Sequence, residues 1–473
     1  MRSRVPSAES RPRGEVVPII VWGRVMQKYS RRAVLKAGVL GATGLTMADA
    51  LRASDTPRAA GAKRKSVILI WLDGGPSQLE SYDPKPDAPL EVRGPFGTIS
   101  TSVPGITISD LLPCHAPLMD KMALVRSLHH DNGDHFAAAH WVLTGFLGSN
   151  AANREQQSPS VGSCIARVQG PNHPSMPAYV GLPAAQSIYI FPGYQGAAYL
   201  GRAFEPFDVQ PEQKYVGHSL GGPILRPAFL DTLNVGQESR FDEKVGLLDR
   251  LDGIARGLDR SGSMESMDKY QHRALDMLLS GRARRAFDME LEDTRVRERY
   301  GAGPWGHYAC MARRLVEAGV TFVTVDMPHW DHHSSLEKGH GGNMRAMDRA
   351  VSALIQDLID RDMLDDTLVL VMGEFGRTPK INNGLPNIDP VPGRDHWGNC
   401  FSAMLAGGGV KGGQVIGATN PRGEYPIERP LLPGQLLATV YHLVGIDPNQ
   451  SFPDHAGRPR PMLADPEPIR ELV

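Results

Sequence analysis

The chain has 473 residues, more than one minimal core requires, and one large α/β domain with insertions is expected rather than two domains. Its 51 basic and 52 acidic side chains leave a net charge of −1, which excludes an electrostatic preference for nucleic acid or acidic membranes. The four cysteines are widely spaced without a CxxC pair, which excludes a zinc knuckle or a disulfide scaffold and leaves one or two disulfides open.

The first 53 residues are predicted to be a twin-arginine signal peptide. Residues 30–36 read SRRAVLK, residues 37–47 are apolar, and residues 48–50 read ADA, a small-residue cleavage site. The alternative is a buried amphipathic helix with two surface arginines. Because the apolar run is shorter than the roughly 20 residues of a membrane span, only an uncleaved leader would hold the protein at a membrane.

Translation is expected to start at Met26, because residues 1–25 contain prolines that are unusual in a leader. The expected partner is the twin-arginine translocation machinery, and the expected location is the periplasm or another exported site. Residues 54–65 are small and polar and are predicted to be a linker.

Three short apolar runs in the following domain, residues 66–465, are predicted to be strands of a parallel sheet. They cover residues 66–72, 320–325 and 367–372, and none alternates with polar residues, which is typical of strands buried on both faces. Residues 344–360, between the second and third runs, have a helical period. A strand, a helix and a strand in this order form the crossover unit of a parallel sheet.

The remaining elements are less regular. Residues 229–299 are rich in charge, contain no strand-like run and are predicted to be a helical insertion with helices over 243–258 and 267–279. Towards the C-terminus, a hairpin is predicted over 414–418 and a helix over 433–444.

Each predicted strand ends near an acidic residue, and histidines cluster close by. The acids are Asp73, Asp326 and Glu374, and the windows 129–140 and 329–340 contain four histidines each. Ligands bind at the carboxyl ends of parallel strands, because the loops there converge. Imidazole and carboxylate together are the donors that zinc, manganese or iron prefer, so the sequence predicts a metal site.

Several of these residues have two possible roles. Asp73 is a metal ligand or the cap of the following turn, and Glu374 is a ligand or the salt-bridge partner of Arg377. Asp331 and His333 are two residues apart in an extended loop, so their side chains can point to the same side.

A last candidate lies in the sequence GRDHW, residues 393–397. There His396 stands beside Asp395, so that one residue binds metal and the other orients it.

Four blocks of sequence resemble the bacterial, twin-arginine-exported domain-of-unknown-function family 1501, and more loosely the alkaline phosphatase and sulfatase superfamily. The blocks are LDGGPS at 72–77, WDHH at 330–333, GEFGRTP at 373–379 and GRDHW at 393–397. The resemblance extends over residues 66–463, nearly the whole mature chain. It implies a three-layer sandwich with a mostly parallel central sheet and helices on both faces.

The resemblance also implies two divalent metal ions, such as zinc, calcium or manganese, that hold an esterified phosphate or sulfate. By position, Asp73 would bind the ion nearer the nucleophile, Asp331 and His333 the other, with Glu374 and His396 in further ligand positions. Two such cations would stabilise the attacking and leaving oxygens.

The nucleophile is where the sequence departs from the superfamily. Superfamily nucleophiles lie after the first strand near a helix N-terminus, but residues 131–135 here read DNGDH and contain no serine or threonine. The candidates are Thr144, which is equally suited to a helix C-cap, Ser158 and Ser160, His135, or a metal-activated water. Arg377 is a further catalytic candidate.

The leading hypothesis is an exported metal-dependent hydrolase of phosphate or sulfate esters, acting on a small-molecule or polysaccharide substrate. The alternative is a non-catalytic exported binding protein that keeps the fold and has lost the nucleophile. A third hypothesis, a metallohydrolase that activates water without a covalent intermediate, lies between them.

Overall fold

A computed structural model describes residues 64–185, 193–209 and 281–473, together with positions 227 and 230. The predicted leader, residues 54–63 of the linker and the helices predicted over 243–258 and 267–279 lie outside these residues. Within the described ranges, no helix is long and apolar enough to cross a membrane.

The described residues form the following strands and α-helices. The strands are β1 (Ser66–Trp71), β2 (Thr98–Ser100), β3 (Thr107–Ser109), β4 (Met122–Leu128), β5 (Tyr179–Leu182), β6 (Phe207–Asp208), β7 (Phe322–Asp326), β8 (Thr367–Met372), β9 (Gly376–Arg377), β10 (His396–Trp397), β11 (Phe401–Gly407), β12 (Gln414–Ile416), β13 (Ala418–Thr419), β14 (Pro426–Glu428), β15 (Ser451–Pro453) and β16 (Pro459–Pro461). The α-helices are α1 (Leu90–Arg93), α2 (His135–Thr144), α3 (Val161–Gln169), α4 (Arg282–Phe287), α5 (Thr294–Arg299), α6 (Pro304–Ala318), α7 (Gly341–Asp360) and α8 (Pro433–Leu443).

An eight-stranded sheet in the order β12-β4-β11-β8-β1-β7-β5-β6 is the centre of the fold. Its strands all run in one direction except β11, which is antiparallel to both β4 and β8. β1 lies between β7 and β8, with Trp71 in register with Asp326 on one side and Met372 on the other. The carboxyl ends of these three strands therefore meet at one edge of the sheet.

Both faces of the sheet are covered. On β1, Ile68 and Ile70 belong to the core that packs against α6 and α7, whereas Val67 and Leu69 belong to the core that packs against α2, α3 and α8. Successive side chains of a strand point to opposite faces, so continuous apolar runs are what a sheet buried on both sides requires. The predicted three-layer α/β fold is confirmed.

Most of the predicted elements are present. The three predicted strands are β1, β7 and β8, and the predicted helices over 344–360 and 433–444 are α7 and α8. Of the insertion predicted over 229–299, the described residues 281–299 contain α4 and α5. The domain limits at 66 and 465 stay a prediction.

Two expectations are corrected. The hairpin predicted over 414–418 is wrong, because β12 pairs in parallel with β4 at the sheet edge. Gly417, at φ 71°, turns the chain out of the sheet, and the hairpin that follows joins β13 and β14. The disulfides that the sequence left open are not formed, since all four cysteines are free.

An ionic network centred on the buried Arg313 holds the returning end of the insertion on the core. Arg313 of α6 is 1 % exposed and forms ion pairs with Glu292, with Glu317 at 2.7 Å and with Asp357 at 2.8 Å. We refer to these four residues as the Arg313 network. It joins residue 292, helix α6 and helix α7 by opposite charges on neighbouring elements.

Candidate metal centre

Three buried carboxylates lie at the carboxyl ends of β1, β7 and β8. Asp73, Asp326 and Glu374, here called the site carboxylates, are exposed by only 2, 1 and 0 %. Burial, together with the negative charges of Asp73 and Glu374, raises the pKa of Asp326 well above its ordinary value. Like charges gathered in a buried place are costly, and a bound cation is one means of stabilising them.

The loop after β7 lies close to the loop after β1. The Trp330 backbone N–H donates to the Asp73 carbonyl at 3.1 Å, which brings Asp331 beside Gly74. Gly74 has a φ of 111°, and a Cβ at this position would lie 2.6 Å from the Asp331 backbone nitrogen. Only glycine fits this close approach without strain.

Three histidines surround the Asp331 carboxylate. His135 Nε2 lies 3.3 Å from Asp331 Oδ2, while His333 Nε2 and His396 Nε2 lie 3.0 and 2.9 Å from Oδ1. We refer to His135, His333 and His396 as the site histidines. Donor atoms of His135, Asp331 and His396 all lie within 4.8 Å of one another, a spacing that allows them to bind one metal ion. The structure thus brings together residues separated by up to 261 positions (396 − 135).

The other ring nitrogen of each site histidine faces an acceptor. His135 Nδ1 lies 2.6 Å from Glu374 Oε1, His333 Nδ1 lies 2.7 Å from Asp395 Oδ1, and His396 Nδ1 lies 2.8 Å from the Gly133 carbonyl oxygen. Each Nδ1 is therefore placed to donate a proton to its acceptor, and each Nε2 faces the Asp331 carboxylate. Histidines that bind metal usually donate their second ring N–H to a carboxylate or a backbone carbonyl in this way.

The pKa values reflect this concentration of charge. Burial lowers the pKa of His135, but its hydrogen bonds to Asp331 and Glu374 outweigh this effect and raise the pKa to about 9. Burial raises the pKa of Asp331, but the hydrogen bonds of the site histidines hold that pKa far below its ordinary value. The hydrogen bond to Asp331 also raises the pKa of His333. Protons thus occupy positions that a cation would take.

Arg377 lies in β9 and is 1 % exposed. Its Nη2 donates to Asp331 Oδ1 at 2.8 Å and to the Gly74 carbonyl, its Nε to the Gly75 carbonyl at 2.8 Å, and its Nη1 to the Arg394 carbonyl at 3.2 Å. The guanidinium is thus used to hold Asp331 and its neighbouring loops. The salt bridge considered between Arg377 and Glu374 is replaced by this pair with Asp331, and Glu374 accepts the Gly74 N–H at 3.0 Å.

The helix after the first strand begins at the site. Asp134 caps α2 by accepting the Ala137 N–H at 3.0 Å, and His135 is the first helical residue. Thr144 ends the same helix nine residues later, about 13 Å away at 1.5 Å per residue. Its hydroxyl donates to the His140 carbonyl at 2.6 Å. The structure therefore does not bring Thr144 to the site histidines.

The two serines considered as nucleophiles lie near α3. Ser160 is the N-cap of α3 and accepts the Ser163 N–H at 3.2 Å, while its own hydroxyl donates to the Gln195 carbonyl at 2.8 Å. Ser158 lies two residues before that cap, in the loop ahead of the helix. The Ser160 hydroxyl is therefore used to begin a helix.

Two residues of the site had no assigned role in the sequence. His130 Nε2 donates to the Glu374 backbone carbonyl at 2.7 Å, and burial lowers the pKa of His130, which keeps it neutral. Asp326 is the last residue of β7, and its position at a strand end was the available signal for it. A cleft of about 680 Å³ between α5, α6 and α7, lined by Arg297, His307 and Arg349 among others, contains none of the site residues.

Comparison with solved structures gives low similarity over most of the chain. PsFucS1 sulfatase from Pseudoalteromonas sp. has a TM-score of 0.39 and 11 % identity, covering 84 % of this chain and 71 % of its own. The C-terminal periplasmic domain of EcEptC from Escherichia coli, a complex with Zn, has a TM-score of 0.36 and 9 % identity, covering 88 % and 93 %. The phosphonate monoester hydrolase SpPMH from Silicibacter pomeroyi has a TM-score of 0.36 and 11 % identity, covering 86 % and 76 %. Likenesses this low do not assign an activity.

Comparison of the sequence alone is more specific. A search of curated proteins finds no match to this chain. A family model described as "Protein of unknown function (DUF1501)" matches residues 64–473, which include every site residue named above. The chain therefore belongs to the DUF1501 family.

Proposed function

We propose that this protein is an exported, metal-dependent hydrolase of phosphate or sulfate esters. The observation that supports it most directly is the arrangement of the site histidines, each with Nδ1 held by an acceptor and Nε2 turned towards Asp331. His135, Asp331 and His396 would hold one divalent cation, with His333 beside them. A second ion at Asp73 and Glu374 is proposed from the family resemblance, since the donor atoms of the described residues form one such cluster.

The two sets of donors suit somewhat different ions. Imidazole with carboxylate is a set that zinc and manganese accept, while carboxylates alone favour manganese, magnesium or calcium. Divalent cations there would supply Lewis acidity, which polarises the ester and makes a water molecule more acidic. The protein's own contribution is to hold the Asp331 carboxylate through Arg377 and to direct the three Nε2 atoms.

The attacking group is proposed to be water. His135 stands in the first turn of α2, where the superfamily has its nucleophile. The hydroxyls of Thr144, at the end of α2, and of Ser160, at the start of α3, each donate to a backbone carbonyl. The N-terminus of α2 has the positive end of the helix dipole, which favours a negatively charged ester group nearby. This supports the hypothesis of hydrolysis without a covalent intermediate.

The same missing hydroxyl favours a second candidate. A protein that keeps the metal ligands without a nucleophile could serve as a non-catalytic exported binding protein. The two functions differ in one observable property, which is turnover of an ester in the presence of bound metal.

Export through the twin-arginine pathway remains part of the proposal and rests on the leader alone. Ligands as far apart as Asp73 and His396 meet only in the folded chain, so metal would be loaded before transport. Replacing Arg31 and Arg32 by lysine should leave the full-length protein in the cytoplasm. Normal export of that variant would contradict the assignment of the pathway.

The hydrolase proposal is tested with the purified mature protein and a panel of aryl phosphates, phosphodiesters and sulfates, with added zinc or manganese. At least one class of ester should be hydrolysed, and Asp331→Asn should abolish the activity. Asp348→Asn is the matched control, because Asp348 is equally a carboxylate bonded to a histidine, with 2.6 Å to His115 Nδ1, but lies in α7. Metal binding without hydrolysis of any ester would favour the binding protein.

A further inference from the structure

A second buried ion pair lies beneath the loops of the metal centre. Arg394 and Glu80 are 0 and 1 % exposed. Arg394 Nη2 lies 2.6 Å from Glu80 Oε1, and Arg394 Nε lies 3.0 Å from Glu80 Oε2, which is a two-point contact between a planar guanidinium and a carboxylate. Neither residue touches the Asp331 carboxylate in the contacts of the described chain, so the pair stands apart from the ligands themselves.

The remaining donors of Arg394 reach three other backbone segments. Its Nη1 donates to the carbonyls of Thr378, at 3.0 Å, and of Pro379, while its Nη2 donates to the Val92 carbonyl at 2.7 Å. Its backbone N–H donates to the His332 carbonyl at 3.2 Å, and its own carbonyl accepts from Arg377. One side chain and its peptide thus join the segments that follow β1, β7 and β8.

These segments are the ones on which the proposed ligands lie. Glu80 is in the loop that begins at Asp73, His332 is between Asp331 and His333, and Arg394 precedes His396 by two residues. A shift of Arg394 would therefore move several ligands relative to one another.

The pair is also enclosed. Gly94 follows α1 with a φ of 75°, and a Cβ there would lie 2.7 Å from Glu80 Oε1 and 3.1 Å from Arg394 Nη2. The turn after α1 therefore closes over the pair and leaves little room for either side chain to move. Buried ion pairs of this kind are weak evidence for added stability, because desolvation offsets much of the attraction. A role in geometry explains the arrangement better.

We propose that Arg394 and Glu80 are positioning residues that fix the loops after β1, β7 and β8, and so the metal ligands on them, relative to one another. The inference rests on the proposed function, since it concerns the affinity of the same metal centre. Lysine at position 394 would keep the charge but lose the planar two-point contact. Loss of residues that orient metal ligands typically lowers metal affinity by about 10–100-fold.

The test measures zinc and manganese affinity by titration calorimetry on metal-free protein, together with the melting temperature, for the wild type, Arg394→Lys and Glu80→Gln. Glu80→Gln keeps the size of the side chain and one acceptor oxygen, so it serves if Arg394→Lys fails to fold. The matched control is Arg313→Lys, because Arg313 is equally buried and equally paired with carboxylates but lies in the Arg313 network.

Arg394→Lys should bind metal about 10–100-fold more weakly, with a smaller loss for Glu80→Gln, while Arg313→Lys lowers the melting temperature and leaves metal affinity unchanged. The double variant of positions 80 and 394 should lose less affinity than the sum of the two single losses. Metal affinity unchanged within about threefold in both site variants would overturn the inference. Absence of metal binding by the wild type itself would overturn the proposed function and this inference together.

Discussion

The Arg313 network and the site carboxylates differ in how their charges are paired. In the Arg313 network, one guanidinium is shared by three carboxylates from neighbouring elements. Burial raises the pKa of Glu292, but hydrogen bonds from Arg314 and Arg313 outweigh it and lower that pKa. In the site carboxylates, burial and like charges raise the pKa of Asp326. Arg314 and Arg361 pair with the same three carboxylates, so three guanidiniums balance three carboxylates there. The site carboxylates gather negative charge that His135, beside Glu374, offsets only in part.

The difference follows from where the charges lie in the fold. Charged side chains of α6 and α7 lie on the sides of helices, where residues of opposite charge on adjacent turns can pair with them. The site carboxylates lie at the ends of parallel strands, where loops from three strands converge whatever their charge. Acids gathered at that edge therefore point to a functional site, while the ionic network between the helices is a structural one.

The largest effect is expected from removing a proposed ligand. His396→Ala should lower zinc or manganese affinity by more than about 100-fold, beyond the loss typical of orienting residues. His442→Ala, an exposed histidine of α8, is the control and should bind metal as the wild type does. Equal affinities for the two variants, measured by calorimetry, would remove His396 from the centre.

The Arg313 network should respond in the opposite manner. Arg313→Met removes one guanidinium from buried Glu292 and Asp357, which keep Arg314 and Arg361 as partners. The change is therefore expected to lower the free energy of unfolding by about 3 kcal/mol, the low end of the range for a broken buried ion pair. Denaturant unfolding measures this loss. Metal affinity should stay unchanged, and a large loss of affinity would show that the two groups are coupled.

In the metal-free protein, deprotonation of His135 should lower the stability as the pH rises. Its folded pKa of about 9 lies above the ordinary value near 6.5, so its contribution is complete below about pH 6.5 and is lost as the pH rises through about 9. The loss is on the order of 3 kcal/mol by linkage, and the raised pKa of His333 has the same sign.

Urea unfolding of the metal-free protein near pH 6 and near pH 9.5 measures this decrease. His135→Gln should flatten it, whereas the exposed His442→Gln should leave it unchanged. A wild-type stability that rises over this interval would contradict the assignment.

The smallest effect concerns Asp326. Asp326→Asn replaces a carboxyl whose ionisation is opposed by burial and by the charges of Asp73 and Glu374. The metal-free protein should therefore become more stable by about 1 kcal/mol, as happens when a strained functional site is relaxed. Metal affinity should fall at the same time. Lower stability of the metal-free variant would mean that the Asp326 carboxyl stabilises the metal-free fold, which contradicts this prediction.

Much of the architecture could be predicted from the sequence, because unbroken apolar runs such as that of β1 and the helical period of α7 are strong local signals. The hairpin over 414–418 was wrong because the pairing of β12 with β4 depends on a sheet edge nearly 300 residues earlier in the chain. Short polar strands have no local pattern that names their partner.

The candidate site was predictable in its composition and less so in its arrangement. Acids at strand ends and the spacing of Asp331 and His333 were informative, and these two side chains do meet. The use of Arg377 to hold Asp331 was not predictable, nor was the contact of Asp395 with His333 instead of its neighbour His396. Such contacts depend on loops brought together only by the folded sheet.

The central claim is that the strand ends and the site histidines form a metal centre. Its most direct test is the metal content of the wild-type protein, purified without chelator and measured by elemental analysis together with native mass spectrometry. The account predicts at least one divalent ion per chain, lost in Asp331→Asn and retained in Asp348→Asn. A folded wild-type protein that contains no metal and takes up none from zinc or manganese solutions would contradict it.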